Sequence, residues 1–348
     1  MLAQFLIDYG LFISKTITLL IAFIIAAGAL FTIIRSNRSQ PAEHLKIRKL
    51  NKRYEIIQGD LNAKLLNKAQ LRQAKKSKKL KDKQLAKTAR QSGQLRKRVF
   101  VLDFHGDIRA SAVENLREEI TAILAVANPQ DEVFLRLESS GGMVHSYGLA
   151  ASQLQRLRDR KLTLTVSVDK VAASGGYMMA CVANRIIAAP FAIVGSIGVV
   201  AELPNFHRWL KQHDVDFELH TAGEYKRTLT IFGENTDQGR QKFREDLERT
   251  HGLFKQLVQG HRPHLNLQMI ATGEHWYGLQ ALDLNLVDEL KVSDDYLCEL
   301  LCSADIYELH HHRRQTLQKR MAAGASLMLE TVVKYAQTQE QEVGINKS

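Results

Sequence analysis

Hydrophobic and polar positions divide the chain into three stretches with different periodicities. Ile17–Ile34, ITLLIAFIIAAGALFTII, carries no charge over 18 residues. At ~1.5 Å per residue it extends about 27 Å, close to the ~30 Å hydrocarbon thickness of a bilayer, which predicts a membrane-spanning helix. Residues 35–98 are rich in Lys, Leu, Gln, Ala and Arg and are interrupted by Pro41, Gly59 and Gly93, a helical or flexible composition. From Val99 onward, short apolar runs alternate with amphipathic stretches. VFVLDF (99–104), EVFLRLE (132–138), LTLTVSV (162–168) and RIIAA (185–189) read as strands. Between them, helices are predicted around Ala112–Val126, from Met143 to about Arg158, and over the small apolar run YMMACVA. Strands joined by helical crossovers predict an α/β fold with a parallel sheet. The organisation that follows is an anchor (1–34), a basic linker (35–98), one catalytic-sized domain (99–305) and a C-terminal tail (306–348).

Charge sharpens this picture. The formal charge of +11 is concentrated in one segment, since Arg35–Arg98 holds 21 Lys and Arg against 4 Asp and Glu. The remainder is mildly acidic, so the basicity belongs to one arm and does not form a basic face on the folded part. That arm lacks the interleaved aromatic residues expected for single-strand binding, which argues against a nucleic-acid partner. Next to an apolar span it reads as an anionic-lipid contact or a solvated spacer, making membrane lipids the expected partner. The Ala27-Gly28-Ala29 stretch resembles a leader cleavage site, but the apolar run continues past it, and Asp8 lies in the segment before it. An uncleaved anchor is the better reading. Three cysteines, Cys181, Cys298 and Cys302, form neither a disulfide framework nor a zinc spacing, and read as small buried hydrophobes.

Candidate chemistry begins at two strand-to-helix junctions, Ser139-Ser140-Gly141-Gly142 and Ser174-Gly175-Gly176. Each is able to expose backbone N–H groups where a helix begins, an arrangement suited to an oxyanion or to a phosphate. Either junction alone is also satisfied by a tight turn that needs glycine. No phosphate-binding G-x-x-x-x-G-K-[ST] sequence is present. A serine nucleophile needs a base, and none of the 13 histidines carries a marking pattern. His310-His311-His312, followed by Arg313 and Arg314, reads as a solvated basic patch in preference to a metal site. A lysine serves as base when burial disfavours its charged form, but the residues alone do not single out Lys226 among the lysines.

Five segments resemble the signal peptide peptidase A family of serine proteases. D-K-V-A-A-S-G-G-Y (169–177) resembles its nucleophile motif, and E-S-S-G-G-M-V (138–144) its oxyanion loop. G-S-I-G-V (195–199) is similar to the segment whose serine orients the base, and G-E-Y-K-R (223–227) to the stretch carrying the catalytic lysine. W-Y-G-L-Q-A-L-D-L-N-L-V-D-E-L (276–290) resembles the closing helix and strand of the family. The anchor and basic spacer resemble a subgroup of inner-membrane proteases.

The resemblance implies a ClpP/crotonase-type fold, with Ser174 as nucleophile, Lys226 as general base and Ser196 orienting the lysine. Gly142 and Gly175 would supply the oxyanion N–H groups. It also implies peptide or protein substrates, no metal or other cofactor, and a ring-like homo-oligomer in which the dyad is completed across subunits. Two departures stand out: Ser140 replaces the proline usual before Gly-Gly, and Asn285 replaces a common glycine.

Two rival readings remain on the residues. One is a non-catalytic membrane scaffold that uses its basic arm for lipid, RNA or a protein partner. The other is acyl-CoA chemistry, which calls for carboxylates at the oxyanion junctions, and the stretch around Ser174 lacks them. For topology, the basic residues after the span favour the cytoplasm. The family resemblance favours the periplasmic side of a bacterial inner membrane, and that side is the expectation carried forward.

Overall fold

The computed structural model describes residues 44–77, 79–80 and 96–312, with scattered positions between 10 and 23. Most of the apolar run at 17–34, and the tail from Arg313, lie outside the described residues, and with them the expected anchor. Among the described residues, no helix is long and apolar enough to cross a membrane. Leu45–His311 forms one compact unit.

Within that unit the predicted strands appear almost residue for residue. They are β2 (Arg98–His105), β3 (Glu132–Glu138), β4 (Thr163–Val168) and β6 (Arg185–Ala188). With β1 (His44–Lys49), β9 (Glu289–Leu290) and β10 (Asp305–His312) they form a seven-stranded sheet ordered β1-β10-β2-β3-β4-β6-β9. The pairings from β10 to β9 are all parallel. Such strands are covered on both faces, which is why they read as nearly continuous apolar runs. A second, three-stranded sheet holds β5 (Val171–Ala173), β7 (Ile193–Gly195) and β8 (His275–Tyr277), with β5 and β7 parallel and β8 antiparallel.

Before β2, the chain forms α1 (Leu50–Leu65). The crossovers place α2 (Val113–Val126) and α3 (Val144–Asp159) on one face of the large sheet. Helix α2 buries Val113, Leu116, Ile120 and Ile123, an amphipathic stripe, and α3 buries Tyr147, Ala150, Ala151, Leu154 and Leu157. The short α4 (Gly175–Ala180) is buried throughout. After it come α5 (His207–Gln212), the long α6 (Asp237–His261), α7 (Leu267–Ile270), α8 (Gly278–Asp283) and α9 (Ser293–Leu300). At the α6 C-terminus Arg262 donates to both oxygens of Asp288 and to the Asn285 carbonyl. Asn285 has φ +59°, so it adopts the left-handed geometry expected of the glycine it replaces.

The other face is covered by α1 and α9, through Leu50, Val99, Val101, Phe134, Tyr296, Leu297 and Ile306. The segment read as a basic linker therefore contributes to the compact unit. Asn51 of α1 donates to the Leu301 and Ala304 carbonyls at 3.2 and 2.9 Å and accepts the Ile306 N–H at 2.7 Å. The same unit extends past residue 305, because β10 pairs with β2 from Asp305↔Arg98 to Glu308↔Val101. The histidine run lies on this strand and is not a solvated patch: His311 is buried, its N–H donating to Glu119 Oε1 at 2.7 Å. The reading of the cysteines holds for Cys181, whereas Cys298 and Cys302 are exposed.

Burial pushes the Glu119 carboxyl up to about 7, opposed by the His311 hydrogen bond and reinforced by the nearby Asp103 charge. Because the folded-state value is raised, the stabilisation is complete below the ordinary Glu range and is lost as pH rises through 7. Substituting Glu119→Gln is expected to flatten the dependence of unfolding free energy on pH between about 4.5 and 7. The wild type should lose roughly 3 kcal/mol across that interval relative to the variant, measured by urea denaturation at stepped pH.

Candidate active site

The site grows from the ends of two strands. Where β3 finishes, Ser139 forms a parallel bridge with Ala172 in β5. Its N–H donates to the Val171 carbonyl at 2.9 Å, and its carbonyl accepts the Ala173 N–H at 3.0 Å. The two glycine junctions are thereby tied together, since one follows β3 and the other follows β5.

Ser174 occupies the turn from β5 into α4 with φ +51° and ψ −116°. That backbone region is nearly restricted to glycine and costs of order 1–3 kcal/mol for a residue with a Cβ. It persists because the surroundings hold it: the Ser174 N–H donates to the Gly195 carbonyl at 2.8 Å, and its own carbonyl accepts the Met178 N–H at 2.9 Å. The result is a half-buried serine at a sharp strand-to-helix turn, followed by the N–H of Gly175 at the start of α4.

The facing loop approaches this turn as closely as backbone permits. Gly141 has φ +91°, and a Cβ there would lie 2.7 Å from the Gly175 nitrogen and 2.8 Å from Ser174 Cβ. At Gly142 a Cβ would meet the Ile108 carbonyl oxygen at 2.2 Å, and Met143 N–H donates to that oxygen at 2.8 Å. The loop is thus pressed between the nucleophile turn and the 106–108 segment. The close approach to Ser174 and the left-handed φ both fall on Gly141, a distinction that a Gly-Gly pair in sequence does not make.

Ser196 follows Gly195, whose carbonyl holds Ser174, and shares its unusual backbone with φ +51°. Its N–H donates to the Glu274 carbonyl at 2.7 Å, and His251 of α6 lies 3.2 Å from the Ile197 carbonyl. Ser174, Gly175, Gly142 and Ser196 are therefore gathered around one turn. Lys226 makes no hydrogen bond to any member of that group. It is exposed, its N–H donates to the Gly223 carbonyl at 3.1 Å, and among the described residues its ammonium group makes no hydrogen bond or ion pair. Around it, residues 199–235 contain no regular element except α5 and expose Val200, Phe206, Trp209, Phe217, Tyr225 and Phe232.

On the sheet face covered by α1 and α9, donor atoms of Asp103, Glu308 and His310 lie within 4.8 Å of one another. Arg136 already bridges the two carboxylates, donating to Asp103 Oδ2 at 2.8 Å and to Glu308 Oε1 at 2.6 Å. An adjoining cleft of about 260 Å3, lined by Asp103, His105, Arg136, Glu138, Asp169 and Lys170 among others, does not include Ser174.

The strain at Ser174 has a measurable consequence. Ser174→Gly is expected to raise the free energy of unfolding by roughly 1 kcal/mol, because glycine adopts this backbone without a Cβ penalty. Ser174→Ala, which keeps the Cβ, is expected to leave stability unchanged within about 0.5 kcal/mol. Denaturant melts of the two variants beside the wild type provide the comparison.

Residues 4–154 match the family described as Peptidase family S49 N-terminal, and residues 156–307 match Peptidase family S49. A probable protease SohB from Haemophilus influenzae is 47% identical over 333 residues, covering 93% of this chain and 94% of its own length. Two proteins of the same description from Buchnera aphidicola are also similar. The one from subspecies Schlechtendalia chinensis is 48% identical, covering 84% of this chain and 99% of its own. The one from subspecies Acyrthosiphon pisum is 54% identical, covering 69% and 71%. With its matched segments running through both glycine junctions and the Ser174 turn, the chain belongs to peptidase family S49.

Proposed function

We propose that this protease is a serine endopeptidase in which Ser174 attacks the scissile carbonyl and Lys226 acts as general base. The observation that carries the reading is the strained Ser174 turn with the Gly141–Gly142 loop pressed against it. Attack by Ser174 Oγ would place negative charge on the carbonyl oxygen, and the N–H groups of Gly175 and Gly142 would receive it. Loss of one such donor typically lowers turnover ~10²–10³-fold. Lys226 would take the serine proton and return it to the leaving amine, with Ser196 orienting its amine. The parallel crossovers and the second small sheet support a ClpP/crotonase-type architecture.

The position of Lys226 supports completion of the dyad by assembly. In the single chain this lysine is exposed among apolar side chains that lack cover, with Val200 81% and Trp209 56% accessible. Exposed apolar side chains concentrated in one segment suit an interaction site. Packing the 199–235 segment against a second copy of the chain would cover it, carry Lys226 toward a serine, and favour the uncharged amine through desolvation. Anchoring through residues 17–34, with the catalytic unit on the periplasmic side, would present membrane-proximal substrates such as signal-peptide remnants. The absence, among the described residues, of a hydrogen bond from Lys226 to Ser174 is the one feature that favours a non-catalytic scaffold instead.

Labelling of detergent-solubilised protein with a fluorophosphonate separates these readings. The wild type is expected to label, Ser174→Ala to lose labelling entirely, and Lys226→Ala to lose it at least ~10²-fold. An unlabelled, folded and oligomeric wild type would favour the scaffold. Assembly has its own signature: specific activity should fall on dilution, and Trp209→Glu should lower both sedimentation coefficient and labelling while leaving the circular dichroism spectrum intact.

A further inference from the structure

We propose that Ser139 and Tyr147 are positioning residues that set the oxyanion loop, taking the place of the proline absent at position 140. The inference rests on the proteolytic reading above. Ser139 and Tyr147 are both buried, at 2% and 0% exposure, and lie on the two elements that flank the loop. Four polar groups form one directed chain. The Gly141 N–H donates to Ser139 Oγ at 3.0 Å, Ser139 Oγ lies 2.6 Å from the Tyr147 hydroxyl, and that hydroxyl donates to the Asp107 carbonyl at 2.8 Å. A carbonyl only accepts, so the tyrosine proton points to Asp107, and the serine proton must point to the tyrosine oxygen. Ser139 Oγ is then left with its lone pairs directed at Gly141.

This chain controls the part of the loop that touches the nucleophile. Gly141 is the residue whose Cα abuts Ser174 and the Gly175 nitrogen, and its left-handed backbone is one that the hydrogen bond from its N–H helps to fix. A serine hydroxyl accepting from the N–H two residues on makes a local turn of its own. Proline at position 140 would restrict the same loop by another route, fixing its φ and holding residue 139 extended. Ser139 already sits in an extended bridge with Ala172, and Ser140 is not among the residues with positive φ. Tyr147 braces a second side as well, because its ring fills the space where a Cβ on Gly175 would lie, 2.4 Å from Cγ. One tyrosine therefore contacts both glycine junctions: Gly175 directly, and Gly141 through Ser139.

The test uses the full-length, detergent-solubilised assembly and the fluorophosphonate probe, read as separate maximal labelling rate and half-saturating probe concentration. Ser139→Ala and Tyr147→Phe are expected to lower the maximal rate roughly 10–100-fold, with half-saturation changed less than about threefold. Adding Ser140→Pro to Ser139→Ala should restore most of the loss. Tyr296→Phe, which removes a buried hydroxyl donating to Glu132 on the other face, controls for lost stability and should leave the rate unchanged. Unchanged rates in folded Ser139→Ala and Tyr147→Phe, or an equal loss in Tyr296→Phe, would overturn the proposal. Hydrogen exchange of the peptide containing 139–143 supplies an independent readout. Faster exchange in Ser139→Ala supports the positioning role, and unchanged exchange overturns it even if the wild type takes up no probe. In that last case the absence of labelling counts against the proteolytic reading alone.

Discussion

Two backbone hydrogen bonds, from Ser139 N–H to Val171 O and from Ala173 N–H to Ser139 O, hold the site together. They join the end of a strand in the large sheet to the middle of a strand in the small one. Without that bridge the two glycine junctions would be separate turns on separate sheets. With it, Gly141 is forced against Ser174, and both positions adopt backbone angles that isolated chains avoid. Strain of this kind survives only where neighbouring contacts over-determine it. Here those contacts are the Gly195 carbonyl, the first turn of α4 and the Ile108 carbonyl behind Gly142.

The two faces of the large sheet solve different problems. Beneath α2 and α3 the packing is apolar and continuous, giving the Ser174 turn a rigid floor. Beneath α1 and α9, apolar packing gives way to buried charge that is fully partnered. Glu132, for example, accepts from Lys97, Thr165 and Tyr296 at 2.6–2.7 Å. Buried carboxylates are tolerable only with such partners. Glu119 of α2, on the opposite and otherwise apolar face, departs from this rule, because a single backbone N–H supports it where burial disfavours its charge.

The segment from 199 to 235 behaves unlike either face. It exposes several aromatic and aliphatic side chains, and the lysine that the family resemblance assigns as base lies in the same stretch of chain. If Lys226 is the base, as proposed, the site is divided: one chain builds the strained half, and what covers the apolar segment sets the surroundings of the lysine.

Order and boundaries of β2, β3, β4, β6, α2 and α3 were legible in the sequence, because hydrophobic periodicity reports the local backbone and which face is buried. The Gly-Gly junctions were legible for the same local reason, whereas the left-handed turn at Asn285 was expected only through the family resemblance. The edge strands were not. β10 pairs with β2 from some two hundred residues away, and a strand half covered by α1 leaves too irregular a pattern to distinguish HLKIRK or DIYELHHH from a polar tail. Nor did the sequence show that His311 is buried while His310 beside it faces Asp103 and Glu308, since neighbours on a strand point to opposite faces. Local pattern determined which segments form strands, helices and glycine turns. Only the tertiary structure decided which turns meet, that Ser139 and Tyr147 are hydrogen-bonded beside them, and that Lys226 is exposed in the single chain, because the surroundings of a side chain are set by residues distant in sequence.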